Sequence, residues 1–201
     1  QAVQAHADGR NGIVDQQILG TLQEKGVQPA AKIDDYEFIR RASLDLTGRV
    51  PVYERVLSFA ADKDPDKRAK LVDELLASPL WVDKWAVFFG DLYKYNASLP
   101  STNTNKFQNG RDAFHRWVRT QLTENKSYAE MARTLISAAG ENSYEQGELN
   151  WLVNGRQPNG PVQDTYDRTA AQTAETFLGV SHMDCILCHD GRGHLDELSL
   201  W

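Results

Sequence analysis

Two cysteines occur in the 201 residues, and both fall in one pentapeptide, Cys185-Ile186-Leu187-Cys188-His189. Two residues between the thiols put both sulfurs on one helical turn, and the adjacent imidazole projects from the same side. This is the C-x-x-C-H arrangement of c-type haem attachment, in which the thiols bond the two vinyl groups and the histidine binds the iron. The spacing predicts one covalent haem c on Cys185 and Cys188, with His189 as proximal iron ligand. Ile186 and Leu187 are apolar, as a residue pair beside a hydrophobic macrocycle should be.

Three other chemistries use the same residue types. A disulfide between Cys185 and Cys188 would close a tiny loop and remove little chain entropy. A thioredoxin-type pair normally follows a strand in a βαβ unit, whereas a helical pattern precedes this one. Zinc on Cys185, Cys188, His189 and His194 would lack a second ligand pair at finger-like separation, and contiguous ligands give poor tetrahedral geometry. Haem is the reading the pentad favours.

A methionine or histidine as sixth ligand would make the iron an electron carrier, and an open position would admit small molecules. Twelve residues follow His189 and none is methionine. The chain's methionines are Met131 and Met183, and its other histidines are His6, His115, His182 and His194. His194 falls on the proximal side, where bonding a haem propionate suits it better than ligation. His182 and Met183 would have to fold back over the haem edge. Met131 and His115 remain as internal candidates for the distal position, and the sequence does not separate them. For either, core packing is the plain alternative. Arg168, Arg192 and Arg111 are candidates to neutralise propionates, against the simpler reading of solvated arginines. Residues 184–197 carry Asp184, Asp190, Asp196 and Glu197 against Arg192. That acidic surround points to a positively charged redox partner steered by the field.

The elements that must position these groups read as helices almost throughout, so the predicted class is mostly α. Ile13, Gln17, Ile18 and Leu22 start a first helix that stops at Gly26. Asp34 or Asp35 caps a second through Phe38, Ile39, Ala42 and Leu46, with Gly48 as its stop. A short helix follows Pro51. Asp64 with Pro65 opens another, on which Leu71, Val72, Leu75 and Leu76 form the stripe predicted to be buried. Pro79 ends it and starts the aromatic-rich LWVDKWAVFFGDLYKY. Residues 96–108 are a polar loop and the one internal boundary the sequence offers within a single domain of residues 1–201. AFHRWV and the capping box Ser127–Glu130 mark two more helices. Residues 140–163 read as irregular, and Asp164 caps the helix that runs into the pentad.

Composition is that of a globular chain, 41% hydrophobic and 25% charged. A net charge of −6 argues against wholesale nucleic-acid binding, which needs excess lysine and arginine. No run of eighteen apolar residues is present, so no transmembrane segment is predicted. The ending LDELSLW reads as an interrupted amphipathic pattern, which predicts that the protein continues.

Several phrases together resemble the planctomycete and acidobacterial cytochrome-c-like family known as domain of unknown function 1549. They are ILGTLQEKGVQPA, FIRRASLDLTGRVP, KLVDELLASPLWVDKWAVFFGDLYKYN, AFHRWVRTQLTENKSYAEMARTLI and TAETFLGVSHMDCILCHDGRGHL. RRASLDLTGRVP departs from the family's Leu-Pro-Pro ending at Arg49-Val50-Pro51, and CILCHDGRGHL is similar to the acidobacterial branch. The resemblance implies a secreted or periplasmic protein that continues into a larger domain, and it carries over Cys185, Cys188 and His189. The expected function is single-electron transfer by a monohaem domain in the cell envelope, a carrier rather than a catalyst, serving redox partner proteins. A haem-containing accessory or catalytic domain of a larger enzyme, and a structural subunit of a larger electron-transfer complex, are the alternatives.

Overall fold

The computed structural model describes residues 12–95, 108–157, 160–180 and 183. Among them run nine α-helices and no strand, as the helical periodicity requires. They are α1 (Gly12–Glu24), α2 (Asp35–Thr47), α3 (Tyr53–Ala61), α4 (Lys67–Leu76), α5 (Pro79–Leu92), α6 (Gln108–Thr123), α7 (Tyr128–Ile136), α8 (Asn150–Asn154) and α9 (Val162–Thr173). The loop of residues 96–107, where the internal boundary was expected, lies outside the described residues.

Local chemistry sets most of the helix ends. Asp34 accepts from the Glu37 amide at 2.8 Å, and Gly48 closes α2 in the left-handed region at φ 69°. Ser78 caps α5 with Pro79 in its first turn, where a missing amide hydrogen costs nothing. Ser127 and Glu130 form both halves of a capping box on α7. Ser127→Ala removes an acceptor for an amide that has no partner within the helix, so it is expected to cost about 1 kcal/mol. Urea denaturation followed by far-UV ellipticity reads that loss, and an unchanged midpoint would rule the cap out as a stabilising element.

Three expectations shift. Asp64 does not cap α4: its carboxylate accepts from the Asp66 amide at 2.8 Å, which spends Pro65 and Asp66 in a turn and delays the helix to Lys67. Asp164 sits inside the first turn of α9, which starts two residues earlier after Pro161. Leu76 is exposed although it continues the apolar spacing of α4; of that stripe Leu71 is buried in the core and Leu75 packs against it.

Two apolar clusters result. The smaller holds Ile39, Phe59 and Leu71, where α2, α3 and α4 meet. Asp35 fastens it from outside, taking Lys67 at 2.7 Å and Arg68 at 2.8 Å. Hydrogen bonds from Lys67 and then Arg68 hold its carboxyl below the ordinary value. Lys84 of α5 reaches across to the Leu44 and Asp45 carbonyls at the end of α2, a cation on the negative end of a helix.

The larger cluster buries Ala86, Tyr93, Phe114, Val118, Leu122, Met131, Leu135 and Trp151. The segment before α8 is less irregular than its composition predicts. A 3-10 turn at Gly147–Leu149 lies directly on α6, and a Cβ on Gly147 would come within 2.6 Å of the Trp117 Cβ. The Asn150 amide donates to the Ser143 carbonyl at 2.7 Å and to the Gly147 carbonyl at 2.9 Å, pinning that turn.

Candidate functional site

Cys185, Cys188, His189, Arg192 and His194 lie outside the described residues, as do His6 and His182. What the structure provides is the ground on which the preceding chain arrives. After Thr173, α9 widens into a π-helical turn, Ala174–Leu178, closed by Gly179 at φ 70°. Such turns are rare and often stand next to functional sites.

Phe177, on this turn, joins the main aromatic cluster. Its ring lies 5.2 Å from Trp151, 6.1 Å from Tyr93 and 6.2 Å from Tyr128. Glu175 adds an ion pair with Lys94 at 2.5 Å. The start of the segment that carries the pentad is therefore anchored to α5, α7 and α8 eight positions before Cys185.

Among the described residues, several buried polar atoms have no hydrogen-bond partner: the Tyr93 hydroxyl, Trp151 Nε1, Asn154 Nδ2, Gln172 Nε2 and Thr176 Oγ1. All five can donate, and an unpaired buried donor costs about 1–3 kcal/mol. Burial also drives the Tyr93 phenol far above its ordinary pKa, so it stays protonated and keeps its donor.

Met131 is buried, 1% exposed, on α7 one turn beyond Tyr128. It lines a cleft of about 260 Å³ with Trp81, Trp85, Phe89, Leu122 and Tyr128, and with Asn125 and Lys126. Trp85 Nε1 is a further buried donor with no partner among the described residues. His115 is half-buried on α6, its ring 6.2 Å from Tyr95. Burial, then the Arg119 charge, hold its imidazole below the ordinary pKa. Arg111 pairs with Asp112 at 2.8 Å, Arg168 is exposed on α9, and Met183 is half-buried. Among the described residues no group of three or more His, Cys, Asp or Glu side chains is arranged to hold a metal ion. None of the described helices is long and apolar enough to cross a membrane.

The model of the family described as protein of unknown function (DUF1549), PSCyt2, matches residues 13–196. The chain belongs to this family. In this DUF1549 protein the match runs from the first residues of α1 to beyond the pentad, so helical core and cysteine motif form one family unit. No curated protein and no solved structure is matched.

Within the DUF1549 protein, the helical spacing of Trp81, Trp85 and Phe89 at i, i+4 and i+8 puts three rings on one face of α5. The aromatic-rich stretch LWVDKWAVFFGDLYKY carries that signal in the sequence. Lys126 and Tyr128 carried no such signal, because they come to the cleft through the turn between α6 and α7. The unpaired donors were equally invisible: nothing in a sequence tells whether a buried amide finds a partner.

Proposed function

We propose that this protein is a monohaem c-type cytochrome domain that moves single electrons in the cell envelope. The observation that carries the reading is the pentad Cys185-Ile186-Leu187-Cys188-His189, which holds every cysteine of the chain. Cys185 and Cys188 would form the two thioethers and His189 would bind the iron. Haem c, when attached, supplies a reversible one-electron couple.

The residues around the anchor fit such a group. A flat apolar ring system needs aromatic walls, and Trp81, Trp85, Phe89 and Tyr128 offer them. Its two carboxylate arms need donors and cations. The buried donors near Phe177, with Arg168 and Lys126 at the surface, have that chemistry. Arg192 and His194 follow the pentad closely enough to serve the same arms. The local excess of acid at residues 184–197 would steer a basic redox partner and exclude an acidic one. Covalent haem attachment also sets the location, periplasmic or extracellular, with the cytochrome domain acting as a module of a larger electron-transfer assembly.

The test is a visible spectrum of the protein produced in a bacterium that attaches haem c in its periplasm. It is repeated after denaturation and acid–organic extraction, with an intact mass alongside. Colour that stays with the polypeptide, one haem's added mass, and sharp α and β bands on reduction are the expected result. Haem that is absent or extracts freely overturns the reading and returns the pentad to metal or dithiol chemistry.

A further inference from the structure

A cleft of about 430 Å³ opens onto the smaller apolar cluster, a volume in the range of small-molecule pockets. It forms because α3 and α4 pack chiefly on α2 rather than on one another, and the Arg55–Glu74 ion pair spans the gap at 2.5 Å. Two stretches that the haem reading does not use, RRASLDLTGRVP and KLVDELLASPLW, both line it. The first supplies Ser43, Thr47 and Arg49, and the second supplies Leu71, Glu74 and Leu75. The floor is apolar, with Ile39 wholly buried and Leu71 3% exposed. Ser43 is 4% exposed, and its hydroxyl has no hydrogen-bond partner among the described residues. The Thr47 hydroxyl, by contrast, donates to the Ser43 carbonyl at 2.7 Å. The charged side chains of the lining are Arg49, Arg55 and Glu74. Glu74 pairs with Arg55, so the Arg49 guanidinium is a surplus positive charge with no ion-pair partner among the described residues.

We propose that this cleft binds the anion of a small apolar carboxylic acid. The apolar body lies on Ile39, Leu71 and Leu75. The carboxylate takes the Arg49 guanidinium, a planar fork of donors that matches its geometry, with the Ser43 hydroxyl of the same stretch as a further donor. A surplus of one positive charge suits a single carboxylate, and Glu74 repels a second. An incoming helix, about 10 Å across, would fit barely one turn into this volume, which favours a small molecule over a peptide. Binding here does not depend on the pentad, and the experiment is the same with or without attached haem.

The test is a titration of the isotopically labelled protein with hexanoate, followed by backbone amide shifts and by calorimetry. Saturable shifts centred on residues 39–51 and 71–80 are expected. Hexan-1-ol, with the same chain length and no charge, should bind more weakly. Arg49→Gln should weaken hexanoate binding about fivefold, the size of one exposed ion pair. Glu74→Gln should tighten it, because Arg55 is then free for the carboxylate. Both side chains are exposed, so far-UV ellipticity should be unchanged in either variant. The opposite responses are the signature, since adventitious binding to apolar surface would follow neither charge. No saturable shift, shifts centred elsewhere, or equal affinity for hexan-1-ol overturns the proposal. So does an Arg49→Gln protein that binds as wild type does, or a Glu74→Gln protein that binds no more tightly.

Discussion

Replacing both thiols, Cys185→Ala together with Cys188→Ala, is expected to abolish covalent haem attachment while leaving a folded, helical protein. The intact mass should equal that of the polypeptide, and any residual colour held through His189 should pass into acid–organic solvent. The expectation of a surviving fold has a physical basis. Among the described residues, both apolar clusters are built from side chains between Phe38 and Phe177. The single variants refine the result. Each should retain at most one thioether, so haem would remain bound but with a shifted α band from the unreacted vinyl group. A double variant that still carried haem through denaturation would show that the attachment chemistry is not that of the pentad.

The second large effect concerns the anchor. Trp151 is wholly buried, and its ring meets Tyr93 at 6.0 Å and Phe177 at 5.2 Å. Trp151→Ala leaves a cavity between α5, α8 and the π-helical turn and is expected to cost about 3–5 kcal/mol. That is a large part of a domain's usual stability of about 5–15 kcal/mol. Trp151→Phe should cost far less, because the ring contacts largely persist. Leu152→Ala, at an exposed position on the same short helix, should shift stability by about 0.5 kcal/mol or less. Urea midpoints at constant m-value separate the three. Equal losses at positions 151 and 152 would contradict the burial described for α8. Because Phe177 rests on Trp151, the alanine variant should also loosen the segment that leads to the pentad. Faster amide exchange in residues 174–180 than in α6 would show it.

The effects at α2 and α7 illustrate what was readable in advance. Asp34, Gly48 and the Ser127–Glu130 pair act within four residues of the helix ends they serve, so residue type and spacing are enough to find them. The failures at Asp64 and Asp164 have a common cause. Each aspartate had a competing local use, in one case the Asp66 amide and in the other a helix already begun after Pro161. Leu76 fails differently. Apolar spacing says which face of α4 is hydrophobic but not how far around that face α2 and α3 reach.

The sequence by itself determined the helical class, most of the helix ends and the gathering of Cys185, Cys188 and His189 in one pentad. These depend on periodicity, on capping geometry and on covalent spacing, all of which are local. Only the tertiary structure decided that the turn before α8 lies on α6, a contact that Gly147 permits because it has no Cβ to meet Trp117. It alone joined Phe177 to Tyr93, Tyr128 and Trp151, residues 26 to 84 positions away. It also gave Met131 and His115 different surroundings. One thioether lines an aromatic cleft beside the anchor, and one imidazole sits against Tyr95 on another helix. The physical reason is that a cleft forms where side chains from distant segments fail to close over each other, and no single segment carries that information.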